Sequence, residues 1–249
     1  MAVFTRDHSE IELMRDAGRL VARTLVMLGE QVRPGVTTAE LDEMAERFIR
    51  EHGGRPAFKG YRGFPASICP SLNEEVVHGI PGPRVLRAGD IIGIDVGVEM
   101  HGFYGDAATS FPVGKIDAEA TKLLEVTREA LMRGIARARS GSRVGDISHA
   151  IQSYVEGQGF SVVHALVGHG IGRAMHEEPQ VPNYGPPDRG PRLMTGQVIA
   201  IEPMVNVGGP DVVTRDDGWT VATKDGSRSA HFEHTVAIGV DGPDILTLP

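Results

Sequence analysis

Asp95 and Asp106 stand among isoleucines, valines and glycines in IIGIDVGVEMHGFYGDAATS, residues 91–110. Burying an unpaired carboxylate is costly, so the pair asks for a reason. In an extended strand Ile92, Ile94, Val96 and Val98 share one face, and Gly93, Asp95 and Gly97 the other. A tight turn around Met100 and His101 sets residue 95 directly opposite residue 106; a bulge at Gly102 would shift that register by one. Facing carboxylates repel unless something positive lies between them. Two solvated acids on an exposed hairpin are the plain alternative. The flanking glycines favour a group approaching closely, and a divalent cation fits best. Oxygen ligands suit Mg, Mn, Ca, Fe or Co, and an imidazole would bring in the transition metals.

Histidines lie further on. VGHGIGRAMHEEPQVPNYG places His169 between two glycines and His176 seven residues later. The spacing is neither that of H-E-x-x-H nor that of a dinucleotide-binding loop, and by itself His169 reads equally as a structural histidine. Glu202 in IAIEPM and Glu233 in HFEHTVAIG follow apolar residues in strand-like patterns.

The elements that would carry these residues alternate in kind. Ser9-Glu10-Ile11-Glu12 reads as a capping box, opening a helix with Ile11, Met14, Gly18, Val21, Leu25 and Leu28 at helical spacing and stopping near Arg33-Pro34-Gly35. TTAELDEMAERFIREHGG reads as a second helix capped by threonine and ended at Gly53-Gly54. Strands and loops are expected over 55–114, helices over about 117–139 and 143–157, then strands again. LRAGDIIGID, ending at Asp95, resembles LMTGQVIAIE, ending at Glu202, at an offset of 107; PGVTTAEL resembles SGSRVGDI at an offset of 106. A duplication is therefore expected, with one catalytic domain over 1–249 built from pseudo-repeats of about 1–115 and 116–249.

Composition bounds the function. The chain of 249 residues is 41% hydrophobic and 23% charged, ordinary for a soluble protein. A net charge of -8 argues against a broad nucleic-acid surface, so no DNA partner is expected. One cysteine, Cys69, excludes an intrachain disulfide framework and suits a reducing compartment. The start of the chain lacks a signal-peptide pattern, and no apolar run reaches membrane-spanning length. A cytoplasmic protein with no membrane partner is expected.

Asp95, Asp106, His169, Glu202 and Glu233 occur in the order and contexts of the methionine aminopeptidase family. IDVGVEMHGFYGDAATS, GHGIGRAMHEEPQV, IEPMV, DGWTV and FEHTV carry the resemblance, which runs over nearly the whole chain to the minimal bacterial type. It implies an α/β pita-bread fold, in which two pseudo-two-fold-related halves form a curved antiparallel sheet covered by helices. It implies two divalent ions (Co, Mn, Fe, Zn or Ni), with Asp95 on one, His169 and Glu202 on the other, and Asp106 and Glu233 on both. Two such ions about 3.5–4 Å apart share a water and lower its pKa toward neutrality. Their charge would offset that of four buried carboxylates.

The same resemblance makes Glu202 the proton shuttle, and His78 and His176 the histidines that touch substrate. It assigns Tyr61, Phe64, Cys69, Met175 and Trp219 to an apolar methionine pocket. Relatives are expected to carry an aromatic at the position of Met175 and often a tyrosine at that of Phe64. The implied reaction removes methionine from peptides and nascent chains, preferring a small second residue. A monomer in transient contact with the ribosome is expected, with no residue assigned to that contact. Met1-Ala2 makes the chain a candidate for its own substrate. An X-Pro peptidase of the same fold and a metal-free peptide-binding relative are the alternatives. The former usually carries a large extra N-terminal domain, and the latter would not need five competent ligands.

Overall fold

The computed structural model describes residues 4–249, so Met1-Ala2 lies outside the described residues. Four α-helices, α1 (His8–Gln31), α2 (Thr38–Glu51), α3 (Ala118–Ile135) and α4 (Val144–Gly157), cover antiparallel sheets. None is long and apolar enough to cross a membrane.

The first cap differs from expectation. Asp7, not Ser9, caps α1: its carboxylate accepts from the Glu10 amide at 2.9 Å, and Glu10 reaches back to the Asp7 amide. Ser9 instead donates its hydroxyl to Asp7, so the stronger acceptor takes the cap. At α2, Thr37 and Glu40 form the box that the threonines announced. The apolar stripe of α1 (Met14, Val21, Leu25 and Leu28) is buried. Gly18 lets α1 approach closely: a β-carbon there would stand 2.4 Å from the Leu246 carbonyl oxygen.

Ile91–Met100 and Phe103–Pro112 form a hairpin of ten-residue strands, and Ile68–Leu72 and Arg55–Pro56 pair with its inner strand. A second sheet runs in the order Pro243–Ile245, His234–Ile238, Val198–Ile201, Gly168–Gly170, Glu177–Val181. The sheets meet where the Glu233 amide donates to the Ala108 carbonyl at 2.9 Å, and where Thr235 Oγ1 donates to the Asp106 carbonyl at 2.7 Å. One apolar core packs α1 and α2 on the hairpin, and another packs α3 and α4 on the second sheet.

Local bonds recur along the chain. Gly35 donates to Leu86 and Leu86 to Val36, at 2.9 and 2.8 Å; Gly141 donates to Leu193 and Leu193 to Ser142, also at 2.9 and 2.8 Å. The Asp90 carboxylate accepts from the Arg87 amide at 2.8 Å, and the Gln197 side chain from the Met194 amide at 2.9 Å. Both α2 and α4 have 14 residues.

Candidate metal centre

The hairpin turns one residue later than expected. His101 and Gly102 both adopt positive φ, 56° and 78°, the geometry of a two-residue turn that keeps the twist of its strands. Residue 95 therefore faces Ala108, and Asp106 faces Gly97. The two acids remain on one sheet face, as diagonal neighbours rather than a direct pair. The glycines also serve differently from expectation. A β-carbon at Gly97 would meet Met175 at 2.5 Å and Phe58 at 2.7 Å, so side chains, not an ion, occupy that space.

Short strands of the second sheet bring the other acids to the same place. Ligand atoms of Asp106, His169 and Glu233 lie within 4.8 Å of one another. His169 Nε2 stands 3.6 Å from Glu202 Oε1 and 3.9 Å from Asp106 Oδ2. The His169 Nδ1–H donates to the Gly170 carbonyl at 2.8 Å, which turns the Nε2 lone pair toward the carboxylates. Asp95 Oδ1, Asp106 Oδ1 and Glu233 Oε1 are buried with no hydrogen-bond partner.

Burial drives the electrostatics. It raises Asp95 to about 7, and raises Asp106, Glu202 and Glu233 well above the usual carboxylate range, with mutual repulsion adding to the effect. His169 is lowered to about 4 by burial and is neutral at pH 7. A cluster of orphaned oxygens with one outward imidazole lone pair is the donor set of a divalent-cation site, so these residues fit such an ion.

A cavity of ≈ 140 Å³ opens beside this cluster. All five acids and histidines line it, with Tyr61, Phe64, Cys69, His78, His176 and Trp219. Met175 does not line it but lies beneath, buried in the apolar cluster that includes Phe58, Phe64 and Cys69. Phe64 meets Trp219 edge-on, ring centroids 5.2 Å apart. Cys69 is the cross-strand partner of Asp95; burial and then the charges of Asp95 and Asp106 push its thiol up, which leaves it a small apolar wall.

His176 stacks on Tyr61, whose hydroxyl lies 2.8 Å from its Nδ1, and burial lowers it to about 3. Arg6 and Glu177, both nearly buried, pair across 171 positions, and Glu177 also accepts from the amides of Arg173 and Ala174. That pair ties down the loop that presents His176. His78 holds a left-handed backbone, φ 59°, uncommon outside glycine, and burial lowers its pKa.

Three residues escaped the sequence reading. Phe58 and Arg62 line the cavity, and His231 places its buried, unpartnered Nε2 3.9 Å from Glu202 Oε2. The signal for His231 was its position two residues before Glu233, on the same face of an extended segment.

Comparison with known proteins agrees with this geometry. Residues 12–239 match the model of Metallopeptidase family M24. Methionine aminopeptidase 1 of Bacillus subtilis is 57% identical over 238 residues, covering 96% of each chain. The crystal structure of methionine aminopeptidase from Rickettsia prowazekii superposes with a TM-score of 0.98 at 43% identity, over 99% of this chain and 100% of that one. The prolidase of Pyrococcus horikoshii gives a TM-score of 0.80 at 20% identity over 98% of this chain and 63% of its own, a likeness of fold alone. The architecture is the α/β pita-bread fold.

Proposed function

The chain belongs to metallopeptidase family M24, and from that premise we propose how its site removes an N-terminal methionine. It is a metal-dependent aminopeptidase that hydrolyses the first peptide bond of methionyl peptides and proteins. The observation that carries the site assignment is the convergence of four buried or half-buried carboxylates and His169 on one cavity, with buried oxygens of Asp95, Asp106 and Glu233 left unpartnered.

Asp95 would hold one ion, His169 and Glu202 a second, and Asp106 and Glu233 both. Bound there, divalent cations supply Lewis acidity and bring the pKa of water toward neutrality. The remaining work falls to the side chains. Glu202, whose burial makes its carboxylate a stronger base, can take a proton from the attacking water and give it to the leaving amine. With the Tyr61 hydroxyl donating to Nδ1, the His176 ring proton sits on Nε2, free to stabilise the developing oxyanion. His78, neutral through burial, contacts the amide side of the substrate. Phe64, Tyr61, Cys69 and Trp219 wall the methionine side chain, with Met175 backing them.

We also propose that residues 1–249 form one catalytic domain of two pseudo-repeats. Its support is the hydrogen bonds that recur at offsets of 106 and 107, together with two matching isolated bridges, Thr37–Val85 and Arg143–Arg192.

Metal-reconstituted protein assayed on Met-Ala-Ser and on an X-Pro peptide tests the function. Methionine release from the first alone, lost in Asp106→Asn, is expected; cleavage of the X-Pro peptide alone would overturn it.

A further inference from the structure

We infer that Arg215, outside the site, sets the methionine pocket by holding Trp219 in place. The inference rests on the reading of Trp219 as a wall of that pocket. Trp219 sits at the tip of a hairpin whose strands, Val212–Thr214 and Val221–Thr223, pair with each other. The latter strand also pairs with Glu75–Val77, whose next residue is His78. The tip is closed by Asp217, whose Oδ1 accepts from the Trp219 and Thr220 amides at 2.8 Å each, and by the Arg215 amide donating to the Thr220 carbonyl at 2.8 Å. These bonds shape the tip but do not fasten it to the rest of the molecule. Arg215 does.

Its Nη1 donates to Glu75 Oε1 at 2.8 Å, and its Nη2 donates to Glu74. An exposed ion pair would contribute little. Here the Glu75 side chain is only 3% exposed, and it also accepts two bonds from Arg84, at 2.7 and 2.6 Å, and one from the Leu72 amide at 2.8 Å. Two guanidinium groups thus share a fixed, buried carboxylate, and the planar fork of Arg215 bridges it to the neighbouring acid. The fork ties the Trp219 tip to the strand that leads into His78, so two groups facing the substrate share one anchor. Losing Arg215 leaves Glu75 paired with Arg84 and Leu72, so the fold has no unpaired buried charge to punish the substitution.

The chain has one tryptophan, so its fluorescence reports the tip directly. Arg215→Ala is expected to raise acrylamide quenching and shift emission to the red in protein without substrate. On Met-Ala-Ser it should raise KM about five- to tenfold, the scale of one ordinary hydrogen bond, with kcat within about twofold. Arg215→Lys, which reaches one carboxylate but lacks the fork, should fall between the two proteins in both readouts. Unchanged quenching in a folded Arg215→Ala protein would overturn the clamp. Raised quenching with unchanged KM would overturn its role in methionine binding and withdraw Trp219 from the pocket. A wild-type protein that releases no methionine would instead defeat the proposed function, whatever the quenching shows.

Discussion

The hairpin half and the short-strand half of the molecule repeat several backbone hydrogen bonds, but in the proposed site they would supply different ligands. Asp95 and Glu202 end matching stretches 107 residues apart, each behind a buried run of isoleucine, valine or alanine and each after a turn closed by the side chain of residue 90 or 197. Beyond that point they diverge. The first strand continues for five residues and folds back to bring in Asp106, so the hairpin itself offers oxygen alone. The second stops at Ile201; the strand beside it carries His169, while His176 stands just before Glu177–Val181 and His231 ends Ser229–His231 in another sheet. The lesson is that a repeated frame fixes where a side chain stands, while the side chains appended to it decide what it does. One half resembles a hard-cation site; the other adds the nitrogen that widens metal choice and the carboxylate placed to move a proton.

The sharpest break in that comparison is to replace the two equivalent acids. Asp95→Asn and Glu202→Gln should each lower kcat/KM at least about 100-fold, beyond what loss of an outer partner costs. At saturating metal the two should separate. Asp95→Asn recovers much of its kcat if it only holds an ion, whereas Glu202→Gln stays slow because the proton has no carrier. Equal recovery in both would remove the asymmetry. Single-turnover assays across a metal titration read this out.

Packing offers the next test. Ile92 and Ile199 occupy matching positions and are both fully buried. Truncation to alanine should cost about 2–5 kcal/mol at either site, and equal values in urea unfolding would show that the halves rely on their cores alike. A difference larger than ~2 kcal/mol would mean that one core collapses around the cavity far better than the other.

Protons probe the oxygen half. Burial holds Asp95 near 7, so below that pH a cation must displace a proton from it. Apparent metal affinity should fall on acidification by about tenfold per pH unit for each proton displaced, Asp95 contributing below about 7 and the other raised acids adding to it, measured by calorimetry with manganese at pH 6, 7 and 8. The sign for stability is opposite. Without metal the native chain holds a proton that the unfolded chain releases, so the metal-free protein loses stability as pH rises from 3.8 through about 7. A metal-free melting temperature that climbs over this window would contradict the burial of that carboxylate.

Much of this was legible beforehand because it depended on residue type and order. The strand-like stretches leading to Asp95 and Glu202 and the threonine before α2 are local patterns. What was misread depended on competition or on three dimensions. The hairpin register hung on whether His101 would accept a left-handed backbone, which a histidine does only when the rest of the turn requires it. The α1 cap was a contest between Asp7 and Ser9 three residues before two different glutamates. Gly97 advertised space without saying what fills it, and the answer, Met175, lies 78 positions away. His231 was hidden in a strand pattern whose facing partner, Glu202, only the fold reveals.

The smallest effect concerns a helix cap at which the proposed repeats differ. Thr37 and Arg143 are matching N-caps with nearly the same backbone, φ and ψ of -93° and 157° against -111° and 156°. Thr37 accepts the Glu40 amide on its hydroxyl at 3.2 Å; an arginine side chain has no oxygen to accept with, so the Asp146 amide turns to the Arg143 carbonyl at 2.9 Å, while the reverse bond, from the Arg143 amide to Asp146 at 2.7 Å, is kept. Helix α4 therefore satisfies with a tight backbone turn the amide that α2 satisfies with a side chain. Arg143→Thr should supply a side-chain acceptor in place of that turn and stabilise the protein by at most about 0.5–1 kcal/mol, less whatever the Arg143 bond to the Gly190 carbonyl contributes. Thr37→Ala should destabilise by about the same amount. If chemical denaturation shows Arg143→Thr to be destabilising, that guanidinium contact outweighs the missing cap, and the second half has replaced the helix cap of the first with a tether to the 189–192 loop.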